Sequence, residues 1–168
     1  MLDRLPVDSP PGDAAGPERS AGRGLVFEDY FLGAVRGGGI VQDRLGRLRG
    51  AFQVDMQGYW SNADFVVDEF FRFRDGKIQR RTWRMTRGAG GRYQAAAEDV
   101  AGLGEGFGDG TMIRWRYRLR VPVGRRRVTF AFDDRMYLME DGTVLDVSDM
   151  SKFGIRCGRL VLALKRRP

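Results

Sequence analysis

The sequence predicts an all-β protein: one antiparallel meander closed into a barrel of about eight to ten strands, with a single short helix at its start. Three observations carry this reading. Turn residues recur at short intervals along the 168 residues, and two of the turns, Asp75-Gly76 and Asp141-Gly142, are Asp-Gly pairs, whose backbone suits the positive φ of tight hairpins. Between the turns apolar residues alternate with period two, as strands with one buried face do. No long segment has helical spacing, and a meander of this length removes its exposed edges by closing on itself.

The elements follow in order. Residues 1–24 hold Pro6, Pro10, Pro11 and Pro17 among Gly, Ala, Ser and Asp, a composition that cannot bury enough apolar surface to order itself. They are expected to be a disordered tail ahead of one domain, residues 25–168. Phe27, Tyr30 and Phe31 have the spacing of a short helix that Gly33 ends. Strands are expected near 37–43, 47–60, 64–74, 77–87, 92–99, 101–108, 111–121, 126–139, 143–150 and 153–165. In the clearest alternation, Ile113, Trp115, Tyr117, Leu119 and Val121 share one face, and Arg114, Arg116, Arg118 and Arg120 share the other.

Counting across the turns places further residues. With Val123-Gly124 at the turn centre, Trp115 faces Phe132, Asp134 turns inward opposite Ile113, and Asp133 meets Arg114 outside. With Asp141-Gly142 at the next turn centre, Asp134 faces Asp149. Two carboxylates about 4 Å apart repel by roughly 4 kcal/mol at an effective dielectric near 20. That is enough to raise one pKa by about three units, so Asp134 and Asp149 are the candidate catalytic acid–base pair, the plainer alternative being that one or both meet an arginine or a backbone N–H at a strand end.

Composition excludes several classes. There is no histidine and one cysteine, Cys157, which rules out histidine-based triads, histidine-ligated metals, cysteine-cluster metal sites and an internal disulfide. No metal and no cofactor are expected, and Cys157 reads as a small buried apolar residue. No apolar run reaches the roughly 18 residues of a membrane helix. No signal-peptide pattern and no lipid-attachment cysteine are present, so the expected place is the cytoplasm or the periphery of the inner membrane. The net charge is +7, concentrated in residues 72–127 and 152–168. Only Lys77, Lys152 and Lys165 are lysines, an arginine excess that fits anion recognition or, more plainly, a GC-rich genome.

Several strings stand together in one order: Glu28-Asp29-Tyr30-Phe31, Val41-Gln42-Asp43-Arg44, Asp99-Val100-Ala101-Gly102, Trp115-Arg116-Tyr117, Asp133-Asp134-Arg135-Met136-Tyr137-Leu138 and Met150-Ser151-Lys152-Phe153-Gly154. In these the chain, from about Leu25 to Lys165, resembles the bacterial domain-of-unknown-function family 3833 (DUF3833). The resemblance implies a lipocalin-like barrel and a setting in the envelope or in lipid metabolism, since many members look like lipoproteins. It supplies no catalytic residue. The chain departs from the family pattern at Arg135, where tryptophan is expected, and at Asp109 and Asp146, where asparagine is expected.

Each remaining candidate has a plainer alternative. Trp83, Trp115, Tyr117, Phe130 and Phe132, with Trp60, line a pocket for a small hydrophobic ligand or fill the core. Lys152 meets a ligand head group at the barrel mouth or forms a structural ion pair. The alternate glycines from Gly102 to Gly110 face a ligand or mark a bent strand. Arg114, Arg116, Arg118 and Arg120 engage an anionic membrane surface or form a solvated face. Nucleic acid is disfavoured, because Trp115 and Tyr117 lie on the opposite face and cannot stack bases beside those arginines. The functional expectation is a binding or carrier protein for a hydrophobic, lipid-like ligand. The alternatives are a barrel enzyme using the inward carboxylates, or an adaptor docking its arginine face on membrane or an acidic partner.

Overall fold

The structure is a computed structural model that describes residues 24–168. The expected tail, residues 1–24, lies outside the described residues apart from Gly24. The elements are α1 (Phe27–Phe31), β1 (Gly33–Asp43), β2 (Leu48–Ser61), β3 (Asp64–Phe73), β4 (Ile78–Arg87), β5 (Arg92–Ala96), β6 (Gly104–Gly108), β7 (Met112–Val123), β8 (Arg126–Leu138), β9 (Val144–Lys152) and β10 (Ile155–Arg166). Each strand pairs antiparallel with its neighbours in sequence, and β1 pairs with β10 to close the barrel. Among the described residues no helix is long and apolar enough to cross a membrane.

Up-and-down connectivity gives the barrel two distinct ends. The β2–β3, β4–β5, β6–β7 and β8–β9 turns lie at the end that holds α1. The β1–β2, β3–β4, β5–β6, β7–β8 and β9–β10 connections form the other end. Helix α1 is too short to be stable alone, and packing holds it. Phe27 and Phe31 stack at 4.3 Å and enter the barrel, where Phe27 meets Trp115 edge-on at 5.4 Å. The Tyr30 hydroxyl sits 2.9 Å from the Gly142 carbonyl oxygen and 2.8 Å from that of Leu164, and it accepts the Val144 N–H. The buried Glu28 carboxylate accepts the Tyr93 hydroxyl at 3.0 Å. The helix is thus bolted to several strands at once.

Strand β7 keeps the faces its alternation predicts: Ile113, Trp115 and Leu119 are buried and Arg116 is exposed. Its pairing with β8 sets Trp115 opposite Asp134 and Tyr117 opposite Phe132. The turn consists of Gly124 and Arg125, which shifts the expected register by two residues and leaves every side chain on its predicted face. The glycine-rich strand β6 lies against β7 because a side chain would not fit. A Cβ on Gly106 would stand 2.7 Å from the Trp115 ring. At Gly106 the glycine face is covered by the protein's own tryptophan.

Strands β5 and β6 are only five residues each and cannot line the full height of β4 and β7. The segment 97–103 fills the gap. Ala101 N–H donates to the Arg118 carbonyl, and Arg120 N–H to the Asp99 carbonyl, both at 2.8 Å.

Trp115→Ala is expected to destabilise the protein by about 3–5 kcal/mol, as aromatic truncations in cores do. Arg116→Ala is expected to cost under about 1 kcal/mol, as exposed charges do. Gly106→Ala adds a methyl group against Trp115 and is expected to cost about 1–3 kcal/mol. Urea unfolding of the three variants ranks them, and equal losses at 115 and 116 would show the face assignment to be wrong.

Candidate functional site

A cavity of about 110 Å³ lies inside the barrel. Its walls are mostly apolar: Phe52, Val67, Phe71, Trp83, Leu160 and Leu162 among others, with Phe27 and Phe31 of α1. Into it also project Glu69, Arg81, Tyr117, Asp134, Asp146 and Ser148. Six polar side chains from β3, β4, β7, β8 and β9 therefore converge inside a hydrophobic barrel, each at an inward position of its strand.

Arg81 organises one side of the cluster. Its guanidinium grips Asp99 with Nε at 3.0 Å from both carboxylate oxygens and Nη2 at 2.9 Å from Oδ2, while Nη1 reaches Glu69 at 3.3 Å. Only about 10% of the Arg81 side chain is exposed. Burial alone would weaken the guanidinium's hold on its proton, but Glu69 and Asp99 strengthen it, so the charge is permanent. Burial raises the Glu69 pKa, and Arg81 opposes that rise.

Asp134 organises the other side. It accepts the Ser148 hydroxyl and, at 2.8 Å, the Tyr117 hydroxyl. Burial pushes its pKa up to about 6 despite those two donors. Asp146 lies diagonally across the β8–β9 pair, since its cross-strand partner is Met136 while that of Asp134 is Ser148. Burial, then the Asp134 and Glu69 charges, raise its pKa well above the usual carboxylate range. Burial, together with the Asp134 charge, likewise keeps the Tyr117 phenol protonated. The Asp146 Oδ1 and the Trp115 Nε1 are buried and find no hydrogen-bond partner in the protein. An unmet buried polar atom costs about 1–3 kcal/mol, and both residues line the cavity. Among the described residues no group of three carboxylate or thiol side chains is placed to hold a metal ion.

Asp149 is a correction. Asp134 points inward as expected, but Asp149 faces outward, paired across the strands with Asp133. It binds Arg135, and Arg159 Nε at 2.8 Å. The hydrogen bonds from Arg159 and Arg135 lower its pKa against a smaller opposing effect of burial. The physical cause is the turn. Met139 N–H bonds the Thr143 carbonyl and Gly142 N–H bonds the Met139 carbonyl, so the loop holds three residues, Glu140 to Gly142, rather than two. Gly142 supplies the positive φ of 78° that this loop needs. One extra residue flips every following side chain, so Asp146 takes the inward place instead.

The other expected residues divide. Trp83, Trp115 and Tyr117 line the cavity. Phe130 and Phe132 do not. They pack below it with Val100 and Leu119, where Phe132 stacks on Tyr117 at 5.3 Å. Trp60 is about half exposed at the α1 end. Lys152 reaches neither a carboxylate nor the cavity; its Nζ donates to the Thr129 carbonyl at 2.8 Å and sits over the Phe130 ring at the far rim. The arginine ladder is partly spent inside the protein. Arg114 pairs with Asp133 at 2.5 Å, Arg116 lies 3.7 Å from the same carboxylate, and Arg120 donates to the Glu98 and Val100 carbonyls. Cys157 is half-buried, and its thiol donates to the Met150 carbonyl.

Sequence comparison now adds a family. The chain matches the description protein of unknown function, DUF3833, over residues 16–166. It belongs to this family. No curated protein matches the sequence. Among solved structures, the S-type phycobiliprotein lyase of Guillardia theta superposes with a TM-score of 0.63 over 84% of this chain and 91% of that one, at 8% identity. At that identity the likeness is one of fold, and this DUF3833 chain is a lipocalin-like barrel.

Asp134→Asn reads out the buried carboxyl. The folded wild type holds that proton up to about pH 6, whereas an unfolded Asp loses it near 3.9. The folded state binds the extra proton across that window, so its stability is highest below about pH 4 and falls as pH rises to 6. Asparagine does not titrate. The unfolding free energy of Asp134→Asn relative to wild type is therefore expected to rise by on the order of 2–3 kcal/mol between about pH 4 and pH 7. Parallel urea-melt profiles for the two proteins would mean that Asp134 ionises as it does in water.

Proposed function

We propose that the barrel binds a small apolar molecule that carries a hydrogen-bond-donating nitrogen, held with its apolar body among the rings and its donor on the acidic side of the cavity. The observation that carries this reading is the Asp146 carboxyl, buried, lacking a protein partner at Oδ1 and lining an otherwise apolar cavity. Ligand sites have this composition: mostly apolar walls with a few placed polar groups that fix orientation. The cavity, about 110 Å³, is smaller than the apolar protein cavity of about 150 Å³ that takes up benzene, so a short alkyl group fits and one aromatic ring is the upper limit. The fold shared with a phycobiliprotein lyase supports a barrel able to host a ligand and says nothing of which one.

The lipid-like ligand expected from sequence takes a narrower form here. A carboxylate head group does not suit a cavity that already holds Glu69, Asp134 and Asp146 beside one cation, Arg81. Lys152, the residue first suggested for such a head group, lies at the rim. A donor nitrogen, or a protonated amine, gains from the same carboxyl groups.

Benzylamine and toluene are the probes, with the fluorescence of Trp83 and Trp115 reporting. Benzylamine is expected to bind more tightly than toluene at pH 7.5. Its affinity should rise several-fold from about pH 5 to 7.5, because the cation needs an ionised carboxylate and Asp134 loses its proton near 6. Toluene affinity should not change with pH. Asp146→Ala should erase the preference for the amine. Equal, pH-independent affinity for both probes would remove the acidic side from the recognition, and no binding of either would leave the cavity a packing defect.

A further inference from the structure

At four of its five connections, the barrel end opposite α1 carries exposed apolar side chains beside arginine or lysine. The β9–β10 turn is the extreme case. Phe153 is 91% exposed and Ile155 is 69% exposed, between Lys152 and Arg156. The β1–β2 turn presents Leu45, 65% exposed, between Arg44 and Arg47. The β3–β4 turn presents Ile78, 62% exposed, after Lys77. The β7–β8 turn presents the exposed Val123 before Arg125, Arg126 and Arg127. All four turns lie at one end, because the meander alternates direction strand by strand.

Phe153 also breaks a local rule. It holds φ at +50°, followed by Gly154 at +76°, and its flanking residues Lys152 and Ile155 are paired. This is a two-residue turn with both centres left-handed, where Asn-Gly or Asp-Gly is the favoured pair. A bulky phenylalanine is strained there, and with 91% of it exposed it contributes almost nothing to the core. The chain accepts both backbone strain and exposed apolar surface to place a ring at the outermost point of the barrel. The ring's gain within the protein is a surface contact, with the Lys152 Nζ 4.8 Å from its centroid, and strain joined to exposure at one position motivates a functional reading.

We infer that this end docks on an anionic lipid bilayer, with Phe153, Ile155, Leu45 and Ile78 entering the boundary of headgroups and acyl chains and the rim arginines that hold no carboxylate among the described residues, Arg44, Arg125, Arg126 and Arg127, meeting lipid phosphates. Arg47, Lys77, Lys152 and Arg156 already have protein partners. The turn tips of one barrel end present a rim to a flat partner. Alternating apolar and basic side chains match a membrane interface, where an apolar side chain enters the hydrocarbon boundary and a long basic one reaches phosphate. The opposite end also exposes Leu32, Tyr59, Trp60, Phe107 and Met139. Its turns, however, carry Asp64, Asp109, Glu140 and Asp141 against Arg87 and Arg92, with Lys165 beside Asp141, and an anionic surface repels those carboxylates, whereas Asp43 and Asp75 at the docking end are each bridged by a neighbouring basic side chain. The arginine ladder on the barrel wall is not the docking face, since Asp133 and the 98–100 segment already occupy three of its arginines.

Co-flotation with vesicles tests this on the full chain. Vesicles of equimolar phosphatidylglycerol and phosphatidylcholine are expected to carry the protein, and pure phosphatidylcholine vesicles much less of it. Binding should weaken with salt yet persist at physiological ionic strength, because apolar insertion is not screened. Phe153→Asn with Ile155→Ser should lower partitioning at least about tenfold, the scale of losing a buried aromatic and an aliphatic anchor. The same variant should keep or raise the thermal midpoint, since asparagine relieves the strained turn; a folded protein that no longer binds thus separates docking from unfolding. Phe153→Trp should bind as wild type and shift its emission to the blue on vesicles. Arg116→Gln with Arg118→Gln should leave binding unchanged. Any of four results overturns the inference: vesicle binding indifferent to Phe153 and Ile155, equal binding to neutral vesicles, a change in oligomeric state as the only consequence of the tip substitutions, or tighter binding to single-stranded nucleic acid than to the vesicles.

Discussion

The buried guanidinium of Arg81 is the interaction on which the rest of this barrel depends. Strands β5 and β6 stop short, so the wall between β4 and β7 is completed by the 97–103 segment rather than by ladder pairing. That segment is fixed by a few backbone bonds to β7 and by the grip of Arg81 on Asp99. The same cation faces Glu69 and opposes the rise in pKa at Glu69, Asp134 and Tyr117. Buried ion pairs contribute little net stability, but losing one partner leaves an uncompensated charge and is costly. Arg81 therefore couples wall closure to the electrostatics of the cavity. A disturbance of the 97–103 segment would be felt as a change in which interior carboxyls hold protons.

The two ends of the barrel divide the labour. Helix α1 seals one end with Phe27 and Phe31 and is held there by Tyr30 and Glu28. The other end is built of turns and the 97–103 segment, and it carries the strained Phe153 and the most exposed of the apolar tips. The cavity lies between, nearer in chemistry to an acidic pocket than to a lipid-filled calyx. A hydrophobic interior and a basic rim thus need not serve the same molecule. On the proposed readings, the interior would select a small donor-bearing group and the rim would set where the protein stands.

The sequence made the architecture legible because period two and turn residues are both local signals. Every expected strand is present, and the inner face of β7 is as its alternation reads. The β7–β8 register moved by two residues without consequence, since an even slip keeps faces. The β8–β9 register moved by one, and that exchanged Asp149 for Asp146 inside the barrel. An Asp-Gly pair suits both a two-residue loop and the glycine position of a three-residue loop, so the turn residues alone do not fix the parity. Glu69 and Arg81 went unnoticed although a signal existed. Glu69 alternates with Phe65, Val67, Phe71 and Phe73, and Arg81 with Trp83 and Met85. A charge at an inward position of an otherwise apolar alternation is the mark of an interior site, and the exposed ladder 114–120 drew attention away from it. The rim was hidden for another reason: period two describes the middles of strands, and the rim residues lie in turns or at strand ends.

The seam between β1 and β10 has a consequence for how this chain reaches its native state. Its pairs, such as Val35 with Arg166 and Gly39 with Leu162, join the two extremities of the domain, whereas the other strand pairs join neighbours along the chain. Local hairpins form within microseconds, but the seam closes the longest loop the domain contains, and distant contacts are the slow ones. During synthesis β1 therefore waits with an unpaired edge until the last strand leaves the ribosome. The triple glycine Gly37-Gly38-Gly39 in that strand offers few side chains to a wrong partner, and Arg36 adds a charge beside it. The strand that must wait longest is among the least adhesive in the barrel, a safeguard against aggregation that acts before the folded protein exists.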